Sequence, residues 1–96
     1  MHKAEIESYS NFFKVLSNPI RLKILLHIAQ CKDSCHKHNI SELSKDCDVD
    51  FSVVSRHLKA LKDIGILDAE KNKNDVIYSL KRSEINKTLS LFSKKF

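Results

Sequence analysis

The amino-acid sequence predicts a mainly helical fold that carries one β-hairpin. Apolar residues recur at helical spacing through most of the chain and switch to alternation after Gly65. One glycine and one proline in 96 residues leave little room for long flexible loops. The length fits a single domain spanning 1–96.

Each element can be justified in order. Ile6, Tyr9, Phe12, Phe13 and Leu16 fall at helical spacing, predicting a first helix from about Ala4 to Ser17. Asn18 is a good N-cap and Pro19 a good first helical residue, so a second helix starts there. It carries Ile20, Ile24, Leu25 and Ile28 and ends near Cys31. The polar run from Cys31 to Asn39 has no periodicity and reads as a loop. A short third helix begins with Ser41 as its cap and runs to about Asp48, with Ile40, Leu43 and Cys47 on one side. After the turn Asp48-Val49-Asp50, a fourth helix spans about Phe51 to Ile64, capped by Asp50 or Ser52. Gly65 stands just past its end, where a left-handed residue is expected. Leu67 and Ala69 then alternate with polar neighbours, as do Val76, Tyr78 and Leu80, giving two strands. The link from Lys71 to Asp75 is rich in Asn and Asp and forms a basic tip to a hairpin over 66–80. Ser83 caps a last helix with Ile85, Leu89, Phe92 and Phe96 on one face. A short helix, a tight turn, a longer helix and a hairpin together make a winged helix-turn-helix.

Composition narrows the function. Seventeen Lys and Arg against 12 Asp and Glu give a net charge of +5, which favours an anionic partner. The apolar-rich stretch from Ile24 to Ala29 is far short of the roughly 20 residues a membrane helix needs, so no membrane partner is expected. No apolar run follows the N-terminal charges, so no secretory signal is expected. Three cysteines form no closed disulfide framework, and reduced thiols in the cytoplasm are the expectation. No nucleotide loop, Ser–His–Asp order or carboxylate pair suggests an enzyme.

At about 100° per residue, Val54, Leu58 and Leu61 of the fourth helix share a narrow arc that must face the core. Ser52, Ser55, Arg56 and Lys59 lie on the other side. Small hydroxyls let a helix sit deep in a DNA major groove, Arg pairs bidentately with guanine, and Ser or Lys reaches bases or phosphates. His57 lies at the flank, where it either meets DNA or packs against a neighbouring element. Lys71 and Lys73 at the hairpin tip are placed for phosphate or minor-groove contact.

The run from Phe13 to Leu25, Phe-Lys-Val-Leu-Ser-Asn-Pro-Ile-Arg-Leu-Lys-Ile-Leu, resembles the opening signature of the ArsR/SmtB repressors. Ile40 to Ser44, Val54 to Leu61, Gly65-Ile66-Leu67 and Tyr78-Ser79-Leu80 continue the resemblance, in the right order, over roughly residues 12–80. It implies a homodimeric repressor that binds double-stranded operator DNA and lets go when an inducer binds. It also implies that the first and last helices pair across a two-fold axis, through Tyr9, Phe12, Phe13, Leu89 and Phe92. Two recognition helices would then face successive major grooves of an imperfect palindrome.

The family's inducer sites do not transfer. This chain has no His after His57 and no carboxylate after Glu84, so a site of Asp and His on the last helix is absent. Asn39 and Ser41 stand where another type has a Cys-x-Cys pair, and the last helix holds no Cys. The loop before the third helix instead carries Cys31, Cys35, His36 and His38. Thiolate and imidazole ligands suit a thiophilic metal or metalloid ion: Zn, Cd, Cu or As. Cys31 and Cys35 are alternatively candidates for a disulfide or persulfide bridge. Cys47 is expected to fill the core, with a third thiolate as the other reading. A function of another class stays open: a small cytosolic metal- or thiol-binding protein that uses its winged helix for protein contacts.

Overall fold

The computed structural model describes residues 2–31 and 38–96. Among them the order is α1 (Lys3–Leu16), α2 (Pro19–Gln30), α3 (Ile40–Cys47), α4 (Phe51–Asp63), β1 (Leu67–Asn72), β2 (Asp75–Leu80) and α5 (Arg82–Ser93). This is the expected winged helix-turn-helix. Ile24 of α2, Leu43 of α3, Val54, Leu58 and Leu61 of α4, Ile66 and Leu67 are almost fully enclosed. Each such side chain stabilises the fold by about 1.5–3 kcal/mol relative to exposure. The core therefore lies where α2, α3, α4 and the base of the hairpin meet, and it fixes which face of α4 turns outward.

The helix ends show how the chain turns. Asn18 Oδ1 accepts the backbone N–H of Arg21 at 3.0 Å and Pro19 opens α2. The other end of α2 is held by Arg82, whose guanidinium donates to the Ala29 carbonyl at 2.9 Å. The cap of α3 differs from expectation. Asn39, not Ser41, is in extended backbone, and its Oδ1 accepts from Glu42 N at 2.7 Å. Asn caps as well as Ser does, and starting two residues earlier makes Ile40 a helical residue packed against the core.

The two helices of the helix-turn-helix, α3 and α4, end by the same device. Asp48 takes a left-handed φ of 55°, its N–H donates to Lys45 O, and Val49 N donates to Ser44 O at 3.1 Å. Gly65 has φ 81°, its N–H reaches Lys62 O at 3.0 Å, and Ile66 N reaches Leu61 O at 3.0 Å. These paired bonds satisfy the carbonyls that a helix leaves open and reverse the chain sharply.

In the hairpin, Leu67 pairs with Leu80 and the ladder continues through Lys71–Val76 to Asn72–Asp75. The link is therefore two residues, Lys73-Asn74, rather than five. Lys73 has φ 60°, the hand that matches the strand twist in a two-residue turn. Backbone pairing needs no apolar alternation, so the ladder runs on through Lys71 and Asn72. The strand of β2 has a second neighbour: Tyr78 N donates to the His38 carbonyl at 3.0 Å. The start of α5 also differs from expectation. Lys81 N donates to Ile66 O at 3.0 Å, and the helix begins directly at Arg82, so Ser83 lies inside it rather than capping it.

Candidate nucleic-acid interface

The α4 helix presents two faces. Val54, Leu58 and Leu61 have no accessible surface, while Ser52, Arg56 and Lys59 are exposed. Ser55 is half-buried, at the edge of the outward face. Its helical angle puts it roughly 60° from Leu58, which is why it shares the boundary. Lys59 Nζ lies 3.0 Å from Asp63 Oδ2, an exposed pair one turn apart. Such a pair is worth only about 0.3–0.5 kcal/mol, so phosphate can displace the carboxylate at small cost.

His57 sits on the opposite flank, half-buried. Its Nδ1 accepts from Arg21 Nε at 3.2 Å, and a terminal guanidinium nitrogen of Arg21 also donates to Val15 O at 3.2 Å. Burial pushes the His57 pKa down, and the Arg21 and Arg56 cations push it further. The ring is therefore neutral at neutral pH, with its proton on Nε2. Arg21 thus ties α4 to the bend between α1 and α2.

Lys71 and Lys73 are exposed on the hairpin, which flanks α4 like a wing. Asn39 joins the wing to α3: while its Oδ1 caps the helix, its Nδ2 donates to Asp75 Oδ2 at 2.6 Å. Sequence reading singled out neither Arg21 nor Asn39 for these roles. Each bonds across 36 positions of the chain, where local patterning carries no signal.

The residues expected at a two-fold interface separate into two groups. Phe12 is enclosed in the chain's own core, edge-on to Phe13 at 5.3 Å between centroids. Phe92 of α5 lies against Tyr9 at 5.2 Å and Phe13 at 4.7 Å, so α1 and α5 pack together within one protomer. Lys95, just past α5, reaches Glu5 at 3.0 Å, and that carboxylate raises the lysine's pKa. Leu89 is exposed, as are Ile6, Leu91 and Phe96 on the same two terminal segments.

Of the expected sensor residues, Cys31 and His38 are half-buried at the two ends of the loop, and Cys35 and His36 lie outside the described residues. The His38 ring stands edge-on to His27 of α2, 6.2 Å between centroids. His27 Nε2 is 3.3 Å from Asp46 Oδ2 on α3. Cys47 is 2% exposed; burial pushes its thiol pKa up, against the lowering effect of Lys23 and with a further rise from Asp46. It packs as core, as expected. No helix among the described residues is long and apolar enough to cross a membrane.

A family model described as bacterial regulatory protein, arsR family, matches residues 18–69. That span runs from the Asn18 cap into β1 and contains the whole helix-turn-helix. The chain is 31% identical over 84 residues to the cadmium resistance transcriptional regulatory protein CadC of Listeria innocua, covering 88% of this chain and 67% of that one. In structure it is similar to an ArsR-like transcriptional regulator from Rhodococcus sp. RHA1, with a TM-score of 0.78, 22% identity, and 93% and 79% of the two chains covered. A homodimeric winged helix-turn-helix DNA-binding domain from Mycobacterium bovis superposes with a TM-score of 0.74 at 21% identity, covering 94% and 79%.

Proposed function

The chain belongs to the bacterial ArsR family of regulatory proteins, which are DNA-binding transcriptional regulators rather than enzymes, and from that premise we propose a homodimeric repressor of a palindromic operator. The observation that carries this reading is the two-faced α4. Its aliphatic stripe is locked in the core while Ser52, Arg56 and Lys59 face out, beside a wing bearing Lys71 and Lys73. In each protomer Arg56 pairs with a guanine edge, Ser52, Ser55 and Lys59 reach bases or phosphates, and the wing lysines hold the adjacent backbone. His57, bonded to Arg21, sets the angle of α4 and offers Nε2–H toward the duplex.

Binding is tested by titrating the upstream region of the protein's own gene. A dimer making about 6–10 phosphate contacts loses ~10³–10⁵ in affinity between 50 and 200 mM salt. Arg56→Ala costs about 1–3 kcal/mol and relaxes base preference, whereas Lys73→Ala weakens all sequences alike. An absence of sequence-selective binding at ~150 mM salt would overturn the repressor reading.

The inducer is a thiophilic ion held by the segment bearing Cys31, Cys35, His36 and His38. The donor chemistry fits: thiolate and imidazole together suit Zn, Cd or Cu(I), and a relative is named for cadmium resistance. The fold supports it too, because His38 and Asn39 connect the segment to β2, α3 and the wing. Replacing Cys31 and Cys35 with Ser leaves operator binding intact and abolishes release by added Cd(II) or Zn(II). An unchanged response in that double variant would eliminate the segment as sensor.

A further inference from the structure

We infer that Phe51, at the tip of α4, reads the 5-methyl group of a thymine in each half-site of the operator. This inference rests on reading Ser52, Arg56 and Lys59 as the side of α4 that meets DNA. It adds a base-specific contact that none of those polar side chains supplies.

The starting observation is an aromatic ring left in water. Phe51 is 55% exposed, and among the described residues from 40 to 64 it is the one large apolar side chain so exposed. A single apolar residue at a surface is ordinary; the place of this one gives it meaning. Phe51 is the first residue of α4, and Val53 N and Val54 N donate to the Asp50 carbonyl at 3.0 and 2.9 Å, so the helix is closed from its first turn. At 100° per residue Phe51 lies about 20° from Leu58. It therefore prolongs the stripe of Val54, Leu58 and Leu61 past the point where the core covers it. Helical side chains lean toward the N-terminus, which carries the ring beyond the end of α4. In a helix-turn-helix the N-terminal residues of the second helix are the ones that meet base edges in the major groove.

The chemistry of the ring selects its target. Phenyl has no donor or acceptor to offer a phosphate, a guanine O6 or an adenine N6. The thymine methyl is the apolar group that the major groove displays, and a Phe side chain is one of its recognised partners. The neighbours of Phe51 point the same way. Asp48 and Asp50, both exposed, precede it and repel phosphate at this end of α4. Arg56 and Lys59, the cations of the helix, lie one and two turns farther along. Backbone contacts thus belong to the middle of α4 and to the wing, and the tip is left for a base. Because the ring stands on a closed helical turn, it meets the methyl without ordering a loop.

The test uses the full chain and the duplex it protects in the upstream region of its own gene. Each thymine is replaced in turn by deoxyuridine, which removes the methyl and nothing else. At one position the wild type loses about 4-fold in affinity for one half-site and about 15-fold for both, the worth of one buried methyl apiece. Phe51→Ala binds the thymine and deoxyuridine duplexes equally at that position, with its melting temperature unchanged, while Phe51→Leu keeps a methyl response. With cytosine at the same position, 5-methylation strengthens binding by the wild type and not by Phe51→Ala, a gain that misfolding cannot mimic. A wild-type scan in which no thymine responds overturns the inference without recourse to any variant. So does a methyl response that persists in Phe51→Ala, which would give the contact to another residue. In either case the repressor reading stands as long as the wild type binds its duplex selectively; a wild type that binds no sequence selectively overturns both.

Discussion

Arg21 donates to His57 from one helix while donating to Val15 from the same guanidinium, and the fold resists protonation of His57, through burial first and the Arg21 and Arg56 cations second. Its folded pKa lies below its ordinary value near 6.5, with burial the leading cause. A depressed histidine contributes stability that is fully present above about pH 6.5 and is lost as pH falls through that value toward the folded pKa. The melting temperature of His57→Gln should therefore fall less between pH 7 and pH 5 than that of the wild type, by thermal circular dichroism. Identical slopes would detach His57 from acid sensitivity. Leu58 carries the opposite kind of cost. Its side chain is fully enclosed, and Leu58→Ala should destabilise by about 2–5 kcal/mol in urea titrations. The raised thiol pKa and burial of Cys47 make it slow to alkylate in the native protein and fast in denaturant, which mass spectrometry of iodoacetamide adducts can read. The inward and outward sides of α4 were legible because a 3.6-residue period sorts them by arithmetic alone. The partners of His57 and His27 were not, since each lies on a different helix and no local period encodes a contact between helices.

At the scale of elements, the caps separate what pattern predicts from what packing decides. Asn39→Ala removes both the Glu42 bond and the Asp75 bond, so it should cost at least about 1 kcal/mol and also weaken operator binding through the wing. Ser41→Ala, in the first turn of α3 just after the cap, should change stability by less than about 0.5 kcal/mol. Comparable losses in the two variants would return the cap to Ser41. Asp48 occupies a left-handed backbone position that glycine adopts freely, and Asp48→Gly should be neutral or mildly stabilising. The expectation for the Gly65 turn held because glycine past an amphipathic run has one common geometric use. The boundaries of α3, α5 and the wing moved by a few residues. Those of α3 and α5 are tied to distant groups, Asn39 to Asp75 and Lys81 to Ile66, while the wing is longer because Asn72 pairs with Asp75 across a two-residue turn that apolar alternation does not mark.

For the molecule as a whole, the aromatic seam of Tyr9, Phe13 and Phe92 joins the two ends of the chain and leaves Leu89, Leu91, Ile6 and Phe96 outside it. Apolar residues left outside on adjoining segments are the surface a second copy would cover. Leu89→Asp should shift sedimentation toward monomer and reduce operator affinity while the far-ultraviolet spectrum stays native. A dimer that survives this change would place the two-fold contact elsewhere. Phe92 is the poorer probe, because its ring already supports the protomer. The hydrogen bond from Tyr78 to His38 bears on the same question from another side. A two-stranded ribbon invites a stranger to add as a third strand, and here the chain's own carbonyl has taken that seat on the outer margin of β2. Association by strand capture is opposed at that point of the β2 margin, which guards this side of the ribbon against aggregation.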